Sequence, residues 1–455
     1  MLNIDQLIHK YNQSAPRYTS YPTVPYWQDL QETDSWEIQF RETFTKHNQL
    51  KGISLYLHLP FCEALCTYCA CNKRITSNHQ VEEEYIEAIL KEWDMYCNLM
   101  NEKPVIRELH LGGGTPTFFS PYNLRYLLET ILSKAIIHPK HAFSIEGHPN
   151  NTTHEHLTTL FDLGFRRISY GVQDNDPFVQ RAINRIQPFK NVILATEEAR
   201  AVGFTSVNFD LVYGLPFQTL VGETATMKDI ISLKPDRIAF YSYAHVPWKI
   251  KAQRLFDEND LPDPGLKTEI YLLGRKMLTD AGYFDIGMDH FALPHDELYK
   301  SLQDGSLHRN FMGYTDLHAD FLLGLGVSSI SDIGVAYAQN HKELENYYRS
   351  IRQGELAIHK GYFLSRTDQD FKKYILDIAC KGKTGLKAIH KDLLETYTLP
   401  FLKQFKEDGL LKIRGNEITV TSQGRQFIRI ICQAFDIKWM EEKESAQEKM
   451  FSKSI

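Results

Sequence analysis

Six short apolar or β-branched runs recur through the first half of the chain, at 53–59, 106–111, 143–146, 167–172, 207–212 and 238–243. Amphipathic stretches of helical length separate them, at 81–100, 121–133, 154–163 and 190–201. A chain written this way has few options, because strands joined through helices build βαβ units and a parallel sheet of right-handed winding. The joins agree: Leu163-Gly164-Phe165, Val202-Gly203-Phe204 and Ala281-Gly282-Tyr283 each place glycine between a helical pattern and a following run. Glycine suits the residue just past a helix because it accepts left-handed backbone. Six strands fall short of the eight that close a barrel, so an incomplete, splayed (β/α)6 barrel with a lateral opening is expected.

From about residue 350 the texture changes. Helical patterns at 371–380 and 393–408 precede a segment at 410–421 centred on Gly415-Asn416, which reads as a hairpin turn. A last helix is expected at 423–435, followed by a charged, frayed tail at 438–455. Three regions follow: an N-terminal arm at 1–50, a catalytic barrel with its extension at 51–350, and a mainly helical, winged-helix-like domain at 351–455.

Composition narrows the class. Hydrophobic residues make up 43% and charged residues 24% of 455, enough to bury a large core. A net charge of −6, with no basic run on 423–435, argues against nucleic acid and anionic membrane as partners. No membrane span and no apolar signal segment is present, so a cytoplasmic, reducing compartment is expected. There, cysteines signal metal or redox chemistry rather than disulfides. Four of the seven lie between 62 and 71, directly after the first strand: Cys62, Cys66, Cys69 and Cys71. In a parallel barrel that loop opens on the active-site face.

Soft thiolates at this spacing suit zinc or an iron–sulfur cluster. Zinc ribbons assemble two separated cysteine pairs, and no second pair appears. Intervals of three then two residues, with Tyr68 just before the third cysteine, resemble the radical S-adenosylmethionine signature. Three thiolates from Cys62, Cys66 and Cys69 would leave one iron of a single, site-differentiated [4Fe–4S] cluster open to S-adenosylmethionine. Cys71 could close that position, but it stands one residue past Cys69, a poor spacing for wrapping a cube; it is expected to face the active site without binding iron. The glycines Gly112, Gly113 and Gly114, with Thr115, end the second strand and let backbone approach a ligand. Glu146, Gln173, Asp174, Asp210, Ala244 and His245 stand at the ends of other strands. Acidic and amide groups there suit ribose hydroxyls and an ammonium, and Arg185 a carboxylate.

Blocks spread along nearly the whole chain resemble the oxygen-independent coproporphyrinogen III dehydrogenases. They include PRYTSYPT at 16–23, YLHLPFC through CNK at 56–73, HLGGGTPT at 110–117, GVQD at 171–174, NFDLVYGLP at 208–216, GMDHFA at 287–292, LHRNF at 307–311 and GLGVSSIS at 324–331. The resemblance implies oxidative decarboxylation of two substrate propionates to vinyls, giving protoporphyrinogen IX for haem synthesis, by a monomer that consumes two S-adenosylmethionine molecules and needs an electron donor and acceptor. It implies that Tyr56, Gly112, Glu146 and Ile330 contact the cluster-bound molecule. Tyr68, Gly113, Gly114 or Thr115, Gln173, Arg185, Asp210 and Ala244 would contact the second. Cys71 and Tyr56 are the candidate catalytic groups. Arg17, Arg309 and Lys73 are candidates for the substrate carboxylates. Tyr68, the Gly-His-Pro-Asn after Glu146, the stretch 316–321 and the surroundings of Cys380 depart from the family pattern. Two other branches of the superfamily, a haem-binding chaperone and a haem-degrading methyltransferase, are the alternatives. The chaperone branch lacks both Cys71 and the PRYTSYPT arm.

Overall fold

Each apolar run of the first half is a strand of one parallel sheet. In the computed structural model these are β1 (Ile53–Leu59), β2 (Val105–Gly113), β3 (Ile136–Gly147), β4 (Phe165–Gln173), β5 (Ser206–Tyr213) and β6 (Arg237–Ser242). Every successive pair is parallel. The structure describes residues 4–30, 32–317 and 319–443. They form two compact units, one of Gln28–Tyr283 with Ala319–Phe363, the other of the described parts of 1–27, 284–318 and 364–455.

The strands are buried because both faces are apolar or covered. Leu55, Leu57, Leu109, Leu111, Ile145 and Ile168 are fully shielded, as parallel sheets flanked by helices require. The helices are α1 (Val81–Leu99), α2 (Pro121–Ser133), α3 (His154–Asp162), α4 (Phe189–Val202) and α5 (Leu220–Ser232). Ser120 caps α2 by accepting from the Asn123 N–H, and Thr153 with His156 forms a capping box on α3. Helix α4 stops at Gly203, whose φ of 116° places it where a side chain would be strained. On α1, Tyr85, Ile89, Trp93 and Tyr96 point into the core at helical spacing.

The sheet extends further than the periodicity implied. Strand β7 (Leu322–Leu325) pairs in parallel with β1. Strands β8 (Ile330–Asp332), β9 (Ala336–Asn340) and β10 (Ile358–Phe363), then Gln28–Asp29, continue it antiparallel. These strands are only two to six residues long, so no period-2 pattern marks them. Strand β3 likewise runs 12 residues, because Ile136 and Ile137 pair with Val105 and Ile106 at the start of β2 before a register shift.

In the second unit, helix Arg366–Lys381 is followed by a three-stranded sheet in the order Lys383–Gly385, Glu417–Val420, Leu411–Arg414. Gly415, at φ 59°, turns the Leu411–Arg414 hairpin. Helices plus this hairpin make the region winged-helix-like. The helix expected at 393–408 contains a π turn at Leu394–Thr398 before Leu399–Glu407. The one expected at 423–435 is a 3₁₀ turn, Gly424–Phe427, then Ile428–Gln433. Part of the supposedly frayed tail is a helix, Ile437–Lys443; residues 444–455 lie outside the described residues. Among the described residues no helix is long and apolar enough to cross a membrane.

Candidate active site

The loop after β1 is held by its own backbone pairing. Phe61–Cys62 pairs in parallel with Arg74–Ile75, closing the loop at its base. The Arg74 N–H donates to Pro60 O at 2.8 Å and the Thr76 N–H to Cys62 O at 3.0 Å. Within the loop the Cys69 N–H reaches Cys66 O at 3.2 Å, and the Thr67 N–H donates to Ile183 O at 3.0 Å. The Tyr68 ring packs on a cluster formed by Val179, Ile183, Val212, Leu215 and Tyr243. Lys73 Nζ donates to Cys69 O at 2.8 Å and Cys71 O at 3.5 Å.

The glycines of β2 seat against this loop. The Gly114 N–H donates to Leu59 O at 2.8 Å, and a Cβ on Gly114 would stand 2.5 Å from Pro60 O. Only glycine permits that approach of two backbones. It brings Thr115 Oγ1 to 3.3 Å from Cys62 Sγ, while Arg185 Nη1 donates to Cys66 Sγ at 3.6 Å.

These groups open on one cavity of about 540 Å³. Its wall holds Cys62, Cys66, Cys69 and Cys71 with Tyr68, Gly113, Gly114, Thr115, Glu146, Gln173, Arg185 and Asp210. Twelve of the sixteen candidate cluster, cofactor and catalytic positions thus converge on a single space, which Lys73 also lines. The other four of that set stand off the wall. Tyr56 sits behind it, its hydroxyl 3.1 Å from His58 Nδ1 and its ring stacked on His110. Gly112 separates Tyr56 from Glu146, since a Cβ there would be 3.1 Å from atoms of both. Ala244 follows β6, with its carbonyl held by Gln253 at 3.1 Å. Ile330 opens β8, paired with Gln339.

Charge in the cavity is organised by a few contacts. Withdrawal from water works against ionised Glu146, yet hydrogen bonds from His110 and the Gly113 N–H hold its carboxyl below the usual range. Asp210 goes the other way: desolvation, then the charge of Glu146, raise it to about 7. Burial first, and then Arg185, lower His148 to about 3, so its ring is neutral. Burial pushes the Cys62 thiol to about 11. Cys69 falls to about 6, chiefly because the Cys71 thiol donates to it, and that donation keeps Cys71 protonated.

All seven cysteines are free. Among the described residues no group of three or more His, Cys, Asp or Glu side chains is poised around a single ion. The donor set nevertheless fits a polynuclear cluster, in which each thiolate binds a different iron: three soft donors line one cavity, and the buried Nε of Arg185 has no partner there.

Several residues of the site escaped the sequence reading. His58 spans Tyr56 and Asn72 O, the latter at 2.9 Å. His110 bridges Ser144 at 2.8 Å and Glu146 at 3.4 Å. Both were readable as polar residues at alternate positions of apolar strands, on the same faces as Tyr56 and Gly112. Gln253, in the short 3₁₀ turn Lys251–Leu255, carried no such signal. Of the three candidate carboxylate binders, Lys73 is occupied within the loop. Arg17 pairs with Asp289 at 3.0 Å, and Arg309 is 5% exposed with its guanidinium over the Tyr314 ring.

A parallel α/β sheet whose first loop offers closely spaced thiols to a rim cavity defines a radical S-adenosylmethionine protein, and the model of the Radical SAM superfamily matches residues 56–229. The chain is 38% identical to the oxygen-independent coproporphyrinogen III oxidase of Pseudomonas aeruginosa, covering 94% of this chain and 95% of that one. It is also 38% identical to the enzyme of the same name from Escherichia coli, with 99% and 98% covered. The solved structure of coproporphyrinogen III oxidase from Escherichia coli superposes with a TM-score of 0.88 at 36% identity, over 96% of this chain and 99% of that one. The chain therefore belongs to the oxygen-independent coproporphyrinogen III oxidase family of radical S-adenosylmethionine enzymes.

Proposed function

We propose that this chain converts two propionate side chains of coproporphyrinogen III to vinyls without oxygen, giving protoporphyrinogen IX. The observation that carries this is the convergence of three loop thiols, Arg185, Glu146 and Asp210 on one cavity, in a chain 38% identical to oxidases of that name over nearly its whole length.

Cys62, Cys66 and Cys69 would hold one [4Fe–4S] cluster, leaving an iron without a protein ligand. When bound, the cluster with S-adenosylmethionine would supply the one-electron chemistry for hydrogen abstraction from the propionate β-carbon, after which loss of carbon dioxide and of one electron to an external acceptor would leave the vinyl group. The residues bind and orient. Glu146, kept ionised by His110, offers an anion to the methionine ammonium. Arg185, whose guanidinium donates to Gly171 O at 2.5 Å and retains an unpartnered Nε, offers a cation to a carboxylate. Asp210, neutral below about pH 7, both donates and accepts toward ribose hydroxyls. Cys71, one residue past Cys69, faces the cavity and stays outside the cluster.

Two S-adenosylmethionine molecules per chain are consumed, one for each propionate. Tyr56, Gly112, Glu146 and Ile330 serve the first, and Tyr68, Gly113, Gly114 or Thr115, Gln173, Arg185, Asp210 and Ala244 the second. The chain works as a monomer in a reducing cytoplasm, where its cysteines stay free, and takes electrons from a separate donor.

Anaerobic incubation of the iron-reconstituted protein with coproporphyrinogen III, S-adenosylmethionine and a reductant tests the reading. Protoporphyrinogen IX with two equivalents of 5′-deoxyadenosine is expected. Haem binding without turnover would place the chain on the chaperone branch instead.

A further inference from the structure

After β6 the chain leaves the sheet in an excursion at 245–256 that is anchored to the cavity wall by one side chain. Gln253 is 1% exposed and every polar atom of its amide is used. The Val246 N–H donates to Oε1 at 2.6 Å, which fixes the orientation of the amide. Nε2 then donates to Ala244 O at 3.1 Å and Tyr68 O at 3.5 Å. Tyr68 belongs to the cavity wall, so the excursion is tied to the rim.

The excursion turns an unusual mixture outward. Trp248 is 51% and Leu255 74% exposed, and Lys249, Lys251 and Arg254 are exposed beside them. Arg254 Nε donates to Pro247 O at 2.9 Å. The side chains of Lys249 and Lys251 have no hydrogen-bond or ion-pair partner among the described residues. Of the acids that follow, Asp257 accepts from the Asn259 N–H and Asp260 from the Asp257 N–H in a local cap.

A tetrapyrrole with propionate side chains is a broad apolar ring edged with carboxylates. An exposed indole and leucine flanked by two uncommitted ammonium groups complement it in both respects. We propose that the 245–256 excursion is the receiving edge for this substrate. Trp248 and Leu255 lie against the macrocycle, and Lys249 and Lys251 take propionate carboxylates. The inference rests on the substrate assigned under Proposed function.

The test compares reconstituted wild-type protein with the Lys249→Gln/Lys251→Gln double variant, using coproporphyrin III as a fluorescent, unreactive probe. Charge-assisted bonds of about 1.5–3 kcal/mol each correspond to a rise in Kd of roughly tenfold or more per lysine. KM for coproporphyrinogen III should rise with it, while kcat at saturation stays within about twofold. Iron content and S-adenosylmethionine affinity report on folding, and Lys249→Arg/Lys251→Arg should bind the probe like wild type. Tight wild-type binding with an unchanged Kd in the Gln variant overturns the inference alone. Wild-type protein that neither binds the probe nor converts coproporphyrinogen III overturns the substrate reading, and this inference with it.

Discussion

Cys71 and Cys69 show how much two neighbouring thiols can differ. One is lowered to about 6 because the other donates to it, and the donor is held protonated in return. Cys62→Ala, Cys66→Ala and Cys69→Ala should each abolish bound iron, whereas Cys71→Ala should retain it and lose vinyl formation. Iron analysis and product chromatography decide, and iron loss in Cys71→Ala would make Cys71 a ligand. Arg185→Ala should weaken S-adenosylmethionine binding by about 1.5–3 kcal/mol, read as the Kd from equilibrium dialysis. Asp210 gives a pH signature. Its carboxyl is raised from 3.8 to about 7 in the fold, so the folded chain holds a proton that the unfolded chain has lost. Its contribution to stability is fully present below pH 3.8 and is lost as pH rises through 7. Asp210→Asn should flatten the decline between pH 4 and 7 in urea unfolding of the ligand-free protein. The cysteines and glycines were legible because their chemistry is local. Ionisation was not, since it depends on neighbours from other strands such as Glu146.

At the scale of elements, the site is a seam between β1, β2 and the loop they share. Gly114→Ala would force a Cβ to 2.5 Å from Pro60 O. Because the obstacle is backbone, relief requires the loop and the end of β2 to part. The variant should bind substoichiometric iron and retain its far-UV circular dichroism; full iron occupancy would show that the seam yields cheaply. The six parallel strands were readable because each carries a run of apolar or β-branched residues. Strands β7 to β10 were not, because at three to six residues their stability comes from pairing with β1 and with one another.

Across the whole molecule, the loop is tied by its own hydrogen bonds, from Thr67 to Ile183 and from Arg74 to Pro60. Removal of iron by chelation should therefore leave helix content unchanged while abolishing S-adenosylmethionine binding. A loss of helical signal on chelation would mean that the cluster holds the fold. The sequence by itself determined the parallel α/β architecture and the thiol loop, because periodicity and residue spacing are properties of contiguous chain. It also placed Gly112–Thr115 and the polar residues at strand ends. The tertiary structure alone decided that Tyr56 stands behind Glu146 through His110, that burial beside Glu146 raises the Asp210 carboxyl, and that Arg17 pairs with Asp289. Each of those outcomes depends on distances between segments far apart in the chain, which folding sets and no local pattern records.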